Sequence, residues 1–120
     1  AAHDCLLYLR PAVTQNWAFE LGTETAIVAV QGPLRANNSE VLREAVLGGL
    51  GIALLPDFTA AAHFEAAQLQ PVLPQWRPRG FFGERVYAIR PWSVQVPRAV
   101  HCFVQYLRDS LANGFPLPQD

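Results

Sequence analysis

The segment that most constrains this fold is GGLGIALLPDF, residues 48–58. A helix-like pattern ends at Gly48 and Gly49, which we expect to supply the left-handed conformation that closes a helix. The run LGIALL, residues 50–55, is fully apolar and stops at Pro56, as is typical of a strand covered on both faces. A helix that feeds directly into such a strand is the second half of a β-α-β unit. The segment therefore predicts an α/β fold.

The preceding residues, NNSEVLREAVLGG, read as a helix over 37–49. Asn37 can cap this helix, with Glu40 three positions on reaching back in a variant of the capping box, although Asn38 or Ser39 could cap it instead. The expected apolar stripe comprises Val41, Leu42, Ala45 and Val46, while Arg43 and Glu44 face outward.

Strand patterns occupy much of the remaining chain. Trp17, Phe19 and Leu21 alternate with the smaller or charged Ala18 and Glu20, the period of a strand. The β-branched run 26–30 follows a glycine-containing link, so the two segments predict a hairpin. We further expect a strand at 4–9, a brief strand and turn at 69–76, a loop at 77–84 and a strand at 85–91.

Two more helices are expected. Pro56 and Asp57 offer a start for a short helix over 58–67. The last helix begins after Pro97 and closes at Asn113 and Gly114. Its apolar face comprises Val100, Phe103, Val104, Leu107 and Leu111.

Composition excludes several function classes. The formal charge is −1 and the nine basic residues are all arginine without a basic stripe, so there is no nucleic-acid footprint. No apolar run approaches the ~20 residues of a membrane helix, and the start AAHDCLLYLR lacks the pattern of a signal peptide. The chain has no methionine and is 51% hydrophobic, from which we expect an excised fragment or a processed chain.

Catalytic, metal and cofactor motifs are not found. The three histidines stand in no metal-ligand spacing, no serine lies in a GxSxG elbow, and the glycines form neither GxGxxG nor a P-loop. Cys5 and Cys102 lie at opposite ends of the chain, so a reduced cytoplasmic pair is favoured over a disulfide. We therefore expect no catalytic residue, no metal site and no cofactor.

The stretch ANNSEVLREAVLGGLGIALLPDF resembles the most characteristic segment of the effector-binding domain of LysR-type transcriptional regulators. LQPVLPQWRP, VYAIRP and RAVHCFVQYLRD resemble later segments of the same domain, and WAFE with VAV and GPLRANN resembles its hairpin. The resemblance runs from about Cys5 to Leu111. The chain departs from the family at Gln68, where a glycine is common, and in the two phenylalanines of RGFFGE.

This resemblance implies one lobe of a type 2 periplasmic-binding-protein-like fold, a β-α-β sandwich with a β-hairpin insertion. Residues 1–92 would be the second lobe, with a hinge strand near 85–91, and residues 93–120 a tail helix that returns to a first lobe. The family implies a cytoplasmic tetramer that binds a small-molecule effector between its lobes. Promoter DNA would be bound by a winged helix-turn-helix that this chain does not contain.

Ligands of open α/β sheets collect at the carboxyl ends of strands and at helix N-termini. In this chain that rule points to six effector-binding candidates, Asn37, Asn38, Ser39, Leu55, Pro56 and Asp57. The GGLGI turn itself is expected to serve packing, since glycine allows a strand and a helix to approach closely.

Two alternatives to a regulator remain open, a lobe of a solute-binding protein of a transport system and a stand-alone hydrolase.

In the tail helix, the apolar face from Val100 to Leu111 would lack the first lobe, against which the family packs it. We expect it to dock on a second copy of the chain, with folding back over its own lobe as the weaker alternative.

Overall fold

The computed structural model describes residues 2–11, 14–83 and 85–115. Residues 116–120 of the predicted tail, and residues 12–13 and 84 of the predicted loops, lie outside the described part. The described residues form two units, which meet in sequence at Phe82 and Gly83. In chain order the elements are β1 (Cys5–Tyr8), β2 (Gln15–Leu21), β3 (Glu24–Val30), β4 (Arg35–Ala36), α1 (Ser39–Leu47), β5 (Ile52–Ala53), α2 (Asp57–Glu65), β6 (Arg77–Arg79) and α3 (Arg98–Ser110).

A parallel sheet of order β4-β1-β5 forms the centre of the first unit. The apolar strand β1 lies in the middle, with Leu7 opposite Arg35 and Cys5 opposite Ile52. Helix α1 connects the two outer strands and buries Leu42 completely. The predicted β-α-β unit and the α/β class are therefore confirmed.

The predicted hairpin is also present, with β2 antiparallel to β3 and Trp17 opposite Val28. The link is tighter than expected, because β3 already begins at Glu24 and a two-residue turn remains, with Gly22 at φ +59°. A third strand, β6, pairs with the other edge of β2 and places Pro78 opposite Phe19. Proline is tolerated there because β6 is an edge strand.

The structure corrects two expectations around β6. Residues 69–76 contain a turn, in which the Trp76 N–H donates to the Leu73 carbonyl at 2.9 Å, but no strand. Conversely, Arg77–Arg79 is a strand inside the segment predicted as a loop. An ion pair of 2.6 Å between Arg79 and Glu20 stabilises this pairing. The pairing is made by residues that are far apart in the chain, so local sequence patterns could not indicate it.

The glycine turn closes α1 at Gly49, which has φ +78°. Gly48, expected to be left-handed as well, is a right-handed cap at φ −74°. Gly51 serves a different purpose, because a Cβ placed on it would lie 2.3 Å from the Asp4 carbonyl oxygen. The same oxygen accepts a hydrogen bond from the Ile52 N–H at 2.9 Å. Gly51 is thus required for the close approach of β5 to the start of β1, as the packing role of GGLGI predicts.

The core joins the two sheets of the first unit. Its buried members are Cys5, Leu7, Trp17 and Val30, against which Phe19, Ile52, Leu54 and Phe81 pack. The strand predicted over residues 50–55 is shorter than expected, because only Ile52–Ala53 pairs and its residues are half-buried. The physical reason is that β5 lies at the edge of a short sheet, where one side has no neighbouring strand.

Helix α1 departs from its predicted pattern at one position. Of the three cap candidates the structure uses Asn38, whose side chain accepts from the Glu40 N–H at 2.7 Å. Val41, predicted to lie in the apolar stripe, is 48% exposed, whereas Leu42 is fully buried. Neighbouring helical residues point about 100° apart, so a stripe centred on Leu42 leaves Val41 at its margin.

The second unit consists of an extended segment and α3. Residues 85–91, predicted to be a strand, make no strand pairing among the described residues. A strand needs a neighbour for its backbone hydrogen bonds, and α3 cannot supply one. No described residue of α3 is buried, and Phe103 of its apolar face is 62% exposed. No helix in the described part of the chain is both long and apolar enough to cross a membrane.

Candidate functional site

An open depression of about 470 Å³ lies at the N-terminal end of α1. We call it the α1 depression, and it is lined by Tyr8, Asn37, Asn38, Ser39, Glu40, Pro56 and Phe82. The chain brings these residues together because β1 ends at Tyr8, β4 ends directly before Asn37, and α2 begins directly after Pro56. The carboxyl ends of two parallel strands and the N-termini of two helices therefore converge on one place.

The N-terminus of α1 opens onto this depression. Asn37 and Asn38 are exposed and Ser39 is half-buried, so the first turn is not covered by the core. The first four N–H groups of a helix have no partner within the helix, and Asn38 satisfies that of Glu40. The remaining donors and the positive end of the helix dipole favour an anionic or strongly accepting group.

The structure brings Asn37, Asn38, Ser39 and Pro56 together in the lining. The other two predicted candidates, Leu55 and Asp57, adjoin Pro56 in sequence but are not part of it. Asp57 is exposed and uses its carboxylate to accept from the Phe58 N–H at 2.7 Å, within the first turn of α2.

The sequence reasoning missed Tyr8, Glu40 and Phe82 as lining residues. Tyr8 ends an apolar run, and the rule that places ligands at strand carboxyl ends was applied to β5 but not to β1. Phe82 belongs to RGFFGE, a segment whose two phenylalanines already departed from the family pattern. Both signals were therefore present in the sequence.

An aromatic wall of Tyr8, Phe81 and Phe82 borders the depression. The rings of Tyr8 and Phe82 pack edge to face with their centroids 5.5 Å apart, and Phe81 lies 5.4 Å from Tyr8. Arg10 places its guanidinium 4.6 Å from the centre of the Phe81 ring. Such ring and cation contacts favour defined orientations of the side chains. The three rings therefore stabilise one another, and Phe81 also packs against the core.

Three hydroxyl groups lie in the lining of the depression or in contact with it, those of Tyr8, Ser39 and Thr59. Burial raises the pKa of Tyr8, and the neighbouring Ser39 side chain opposes part of this rise. The Tyr8 hydroxyl is buried without a hydrogen bond of standard geometry among the described residues. The Ser39 hydroxyl lies 3.4 Å from that of Thr59, a buried residue of α2.

The electrostatics of the depression are mixed. Glu40 carries a carboxylate into the lining and into the first turn of α1, where it interacts favourably with the helix dipole. The same charge repels an anion bound nearby. The lining thus offers backbone and hydroxyl donors together with one opposing charge, which suits hydrogen-bonding recognition more than charge neutralisation. Groups of side chains suited to hold a metal ion are not found within residues 2–11, 14–83 and 85–115.

A second depression, of about 520 Å³, lies in the other unit and is lined by Tyr87, Ala88, Ile89, Arg90 and Trp92. All of these residues come from one extended segment. Ile89 is 92% exposed and Trp92 is 86% exposed, so the segment is an open surface. The α1 depression, which two strands and two helices position, is the stronger candidate.

Comparison with known proteins gives one consistent result. Residues 1–112 match the family described as the LysR substrate binding domain. The chain is 34% identical to the HTH-type transcriptional regulator PtxR of Pseudomonas aeruginosa, over 87% of this chain and 32% of that protein. It is 32% identical to the HTH-type transcriptional activator TtdR of Escherichia coli, over 62% of this chain and 24% of that protein. The chain thus spans about a third or less of the length of these relatives.

Solved structures agree with the sequence relatives. The regulatory domain of AphB from Vibrio vulnificus, treated with cumene hydroperoxide, matches 89% of this chain and 51% of that one, with a TM-score of 0.61 and 24% identity. Another structure of this regulatory domain matches 63% of this chain and 39% of that one, with a TM-score of 0.53 and 30% identity. The family match confirms the predicted LysR-type effector-binding domain, a family of regulators and not of enzymes.

Proposed function

Because the chain belongs to the LysR substrate-binding domain family, we propose that it senses a small-molecule effector on behalf of a DNA-binding transcriptional regulator. The observation that carries the proposal is the convergence of two helix N-termini and two strand ends on the α1 depression. Sites at the carboxyl ends of parallel strands are the general ligand sites of open α/β sheets.

In this proposal the chain is one lobe of a two-lobed, type 2 periplasmic-binding-protein-like domain. The effector lies between the lobes and binds one lobe arrangement more tightly than another. This difference in affinity alters how a tetrameric regulator holds its promoter. A winged helix-turn-helix elsewhere in the protein contacts the DNA, in line with the helix-turn-helix named in the relatives. Such a regulator works in the cytoplasm, where promoter DNA lies.

The effector carries an acceptor or anionic group that binds the first turn of α1 through Asn37, Asn38 and Ser39. The support is the open, donor-rich helix start. The flat body of the effector contacts the exposed edge of the aromatic wall at Phe82, which is 38% exposed. Leu55 and Asp57 support the turn between β5 and α2.

An NMR titration of the ¹⁵N-labelled chain with sodium sulfate tests the site, with sodium chloride at equal ionic strength as the control. We expect saturable shifts of the Ser39–Val41 amides. Ser39→Ala should weaken sulfate binding, whereas Ser110→Ala, at the exposed end of α3, should not. Shifts spread evenly over the surface, or none at α1, would contradict the proposed anion subsite.

The alternative, a solute-binding lobe of a transport system, is distinguished by the reading frame upstream of Ala1. A helix-turn-helix encoded in frame supports the regulator. A secretory signal in that position would instead support the transport protein.

A further inference from the structure

Thr59 is a buried polar residue that the proposed function does not yet use. It lies in the first turn of α2 and is 7% exposed, with the buried residues Ala60 and Ala61 following it. An alkyl side chain of the same shape would suit such a position, because a buried hydroxyl costs free energy unless it is hydrogen-bonded. The hydroxyl of Thr59 is therefore expected to have a role.

The Thr59 hydroxyl contacts a residue that lines the α1 depression. Its oxygen lies 3.4 Å from the Ser39 Oγ atom, a weak hydrogen bond that is longer than the roughly 3.0 Å upper end of typical hydroxyl pairs. Ser39 lines the depression, whereas Thr59 does not. The contact therefore links a lining residue on α1 to a buried residue on α2.

The choice of donor in this hydrogen bond decides whether the Ser39 proton stays available to a ligand. Each hydroxyl has one proton to donate and two lone pairs that accept. If Thr59 donates to Ser39, the Ser39 proton remains available to an acceptor in the depression. The Tyr8 hydroxyl, which Ser39 also neighbours, is protonated at ordinary pH and can itself donate to Ser39, which likewise leaves the Ser39 proton available.

We propose that Thr59 is a positioning residue for effector binding, because its hydroxyl holds the Ser39 side chain so that the Ser39 proton faces the depression. This inference rests on the proposed function, since it assigns Ser39 a contact with the effector. It adds a specificity determinant from α2, a helix that otherwise contributes only its cap, Pro56, to the lining.

The test compares Thr59→Val, which removes the hydroxyl but keeps the shape, with Thr59→Ser, which keeps the hydroxyl. Three-bond couplings of Ser39 give its side-chain rotamer without any ligand, and sodium sulfate titrations give the affinity. We expect a single Ser39 rotamer in the wild type and in Thr59→Ser, and rotamer averaging in Thr59→Val. Sulfate affinity should fall roughly 2- to 10-fold in Thr59→Val, the value of one neutral hydrogen bond, and return in Thr59→Ser.

The outcomes separate this inference from the proposed function. A fixed Ser39 rotamer and unchanged affinity in Thr59→Val would overturn the positioning role while leaving the anion subsite intact. If the wild type binds no sulfate at α1, the subsite fails, and the Ser39 rotamers alone decide whether Thr59 orients that side chain. If both variants weaken binding equally while Ser39 stays fixed, Thr59 has a purely structural role. Should Thr59→Val fail to fold, Thr59→Ala removes the same hydroxyl and is interpreted in the same way.

Discussion

Gly51 and Asp4 lie so close that a Cβ on Gly51 would be 2.3 Å from the Asp4 carbonyl oxygen. That oxygen cannot move away freely, because it accepts the hydrogen bond of the Ile52 N–H. The contact joins the glycine turn after α1 to the start of β1. It explains why a helix, a glycine turn and a short strand follow one another so closely in this chain.

Gly51→Ala is therefore expected to destabilise the chain by about 1–3 kcal/mol, the usual cost of overpacking. Gly83→Ala is the matched control, because a Cβ on Gly83 would meet its nearest atom at an ordinary 3.7 Å. Urea unfolding of both variants measures the difference. Equal midpoints for the two variants would show that the strand start can shift without cost.

Leu42→Ala should destabilise the chain by about 2–5 kcal/mol, because it leaves a cavity under α1. Leu42 is fully buried, whereas the adjacent Val41 is 48% exposed. Val41→Ala should change the free energy of unfolding by less than about 1 kcal/mol. Chemical denaturation of the two variants measures this difference. A large effect of Val41→Ala would mean that another surface covers Val41.

The buried Tyr8 hydroxyl predicts a loss of stability at alkaline pH. The pKa of Tyr8 in the folded chain is raised above its ordinary value of 10.0, mainly by burial. A raised pKa means that folding favours the protonated form, so this stability is complete below the unfolded-state pKa and is lost as pH rises through the folded-state pKa.

Unfolding free energies measured between about pH 8 and about pH 11 should fall less steeply in Tyr8→Phe than in the wild type. Tyr87→Phe, at a position 73% exposed, should keep the wild-type slope. Cys5, whose pKa burial also raises, contributes equally to all three proteins. Identical slopes in the wild type and Tyr8→Phe would refute the prediction.

Glu40→Gln should raise the affinity for sulfate roughly 2- to 5-fold, because it removes the carboxylate from the lining of the α1 depression. The same change should slightly destabilise α1, whose first turn loses its acidic residue. Glu65→Gln, at the end of α2, carries the same charge change away from the site and should leave sulfate affinity unaltered. Weaker binding in Glu40→Gln would mean that the carboxylate takes part in recognition.

The apolar face of α3 predicts self-association of the chain at micromolar concentration. Phe103 is 62% exposed, and burying such a side chain is worth about 1.5–3 kcal/mol. Light scattering should detect a dimer that Phe103→Asp abolishes and that Gln105→Asp, on the far side of the helix from the apolar face, preserves. A wild-type monomer at every concentration would contradict the predicted contact of Val100, Phe103, Val104, Leu107 and Leu111.

Local features of the chain were readable from the sequence alone. The β2–β3 hairpin, α1 and α3 all follow from periodicity, glycine turns and caps, because these depend on backbone conformation and contacts between near neighbours. Four of the seven lining residues were equally accessible, since Asn37, Asn38, Ser39 and Pro56 stand at element ends that any α/β unit would bring to one edge.

Only the tertiary structure decided which other side chains complete the site and which segments become strands. Tyr8 and Phe82 meet across more than half of the chain, and Thr59 reaches Ser39 from a separate helix. Residues 77–79 became a strand because β2 offered an open edge, whereas the more strand-like residues 85–91 found no neighbour among the described residues. A strand depends on a neighbouring strand for its backbone hydrogen bonds, and the burial of a side chain depends on the element that packs against it. Neither the neighbouring strand nor the packing element is specified by the residues nearby in the sequence.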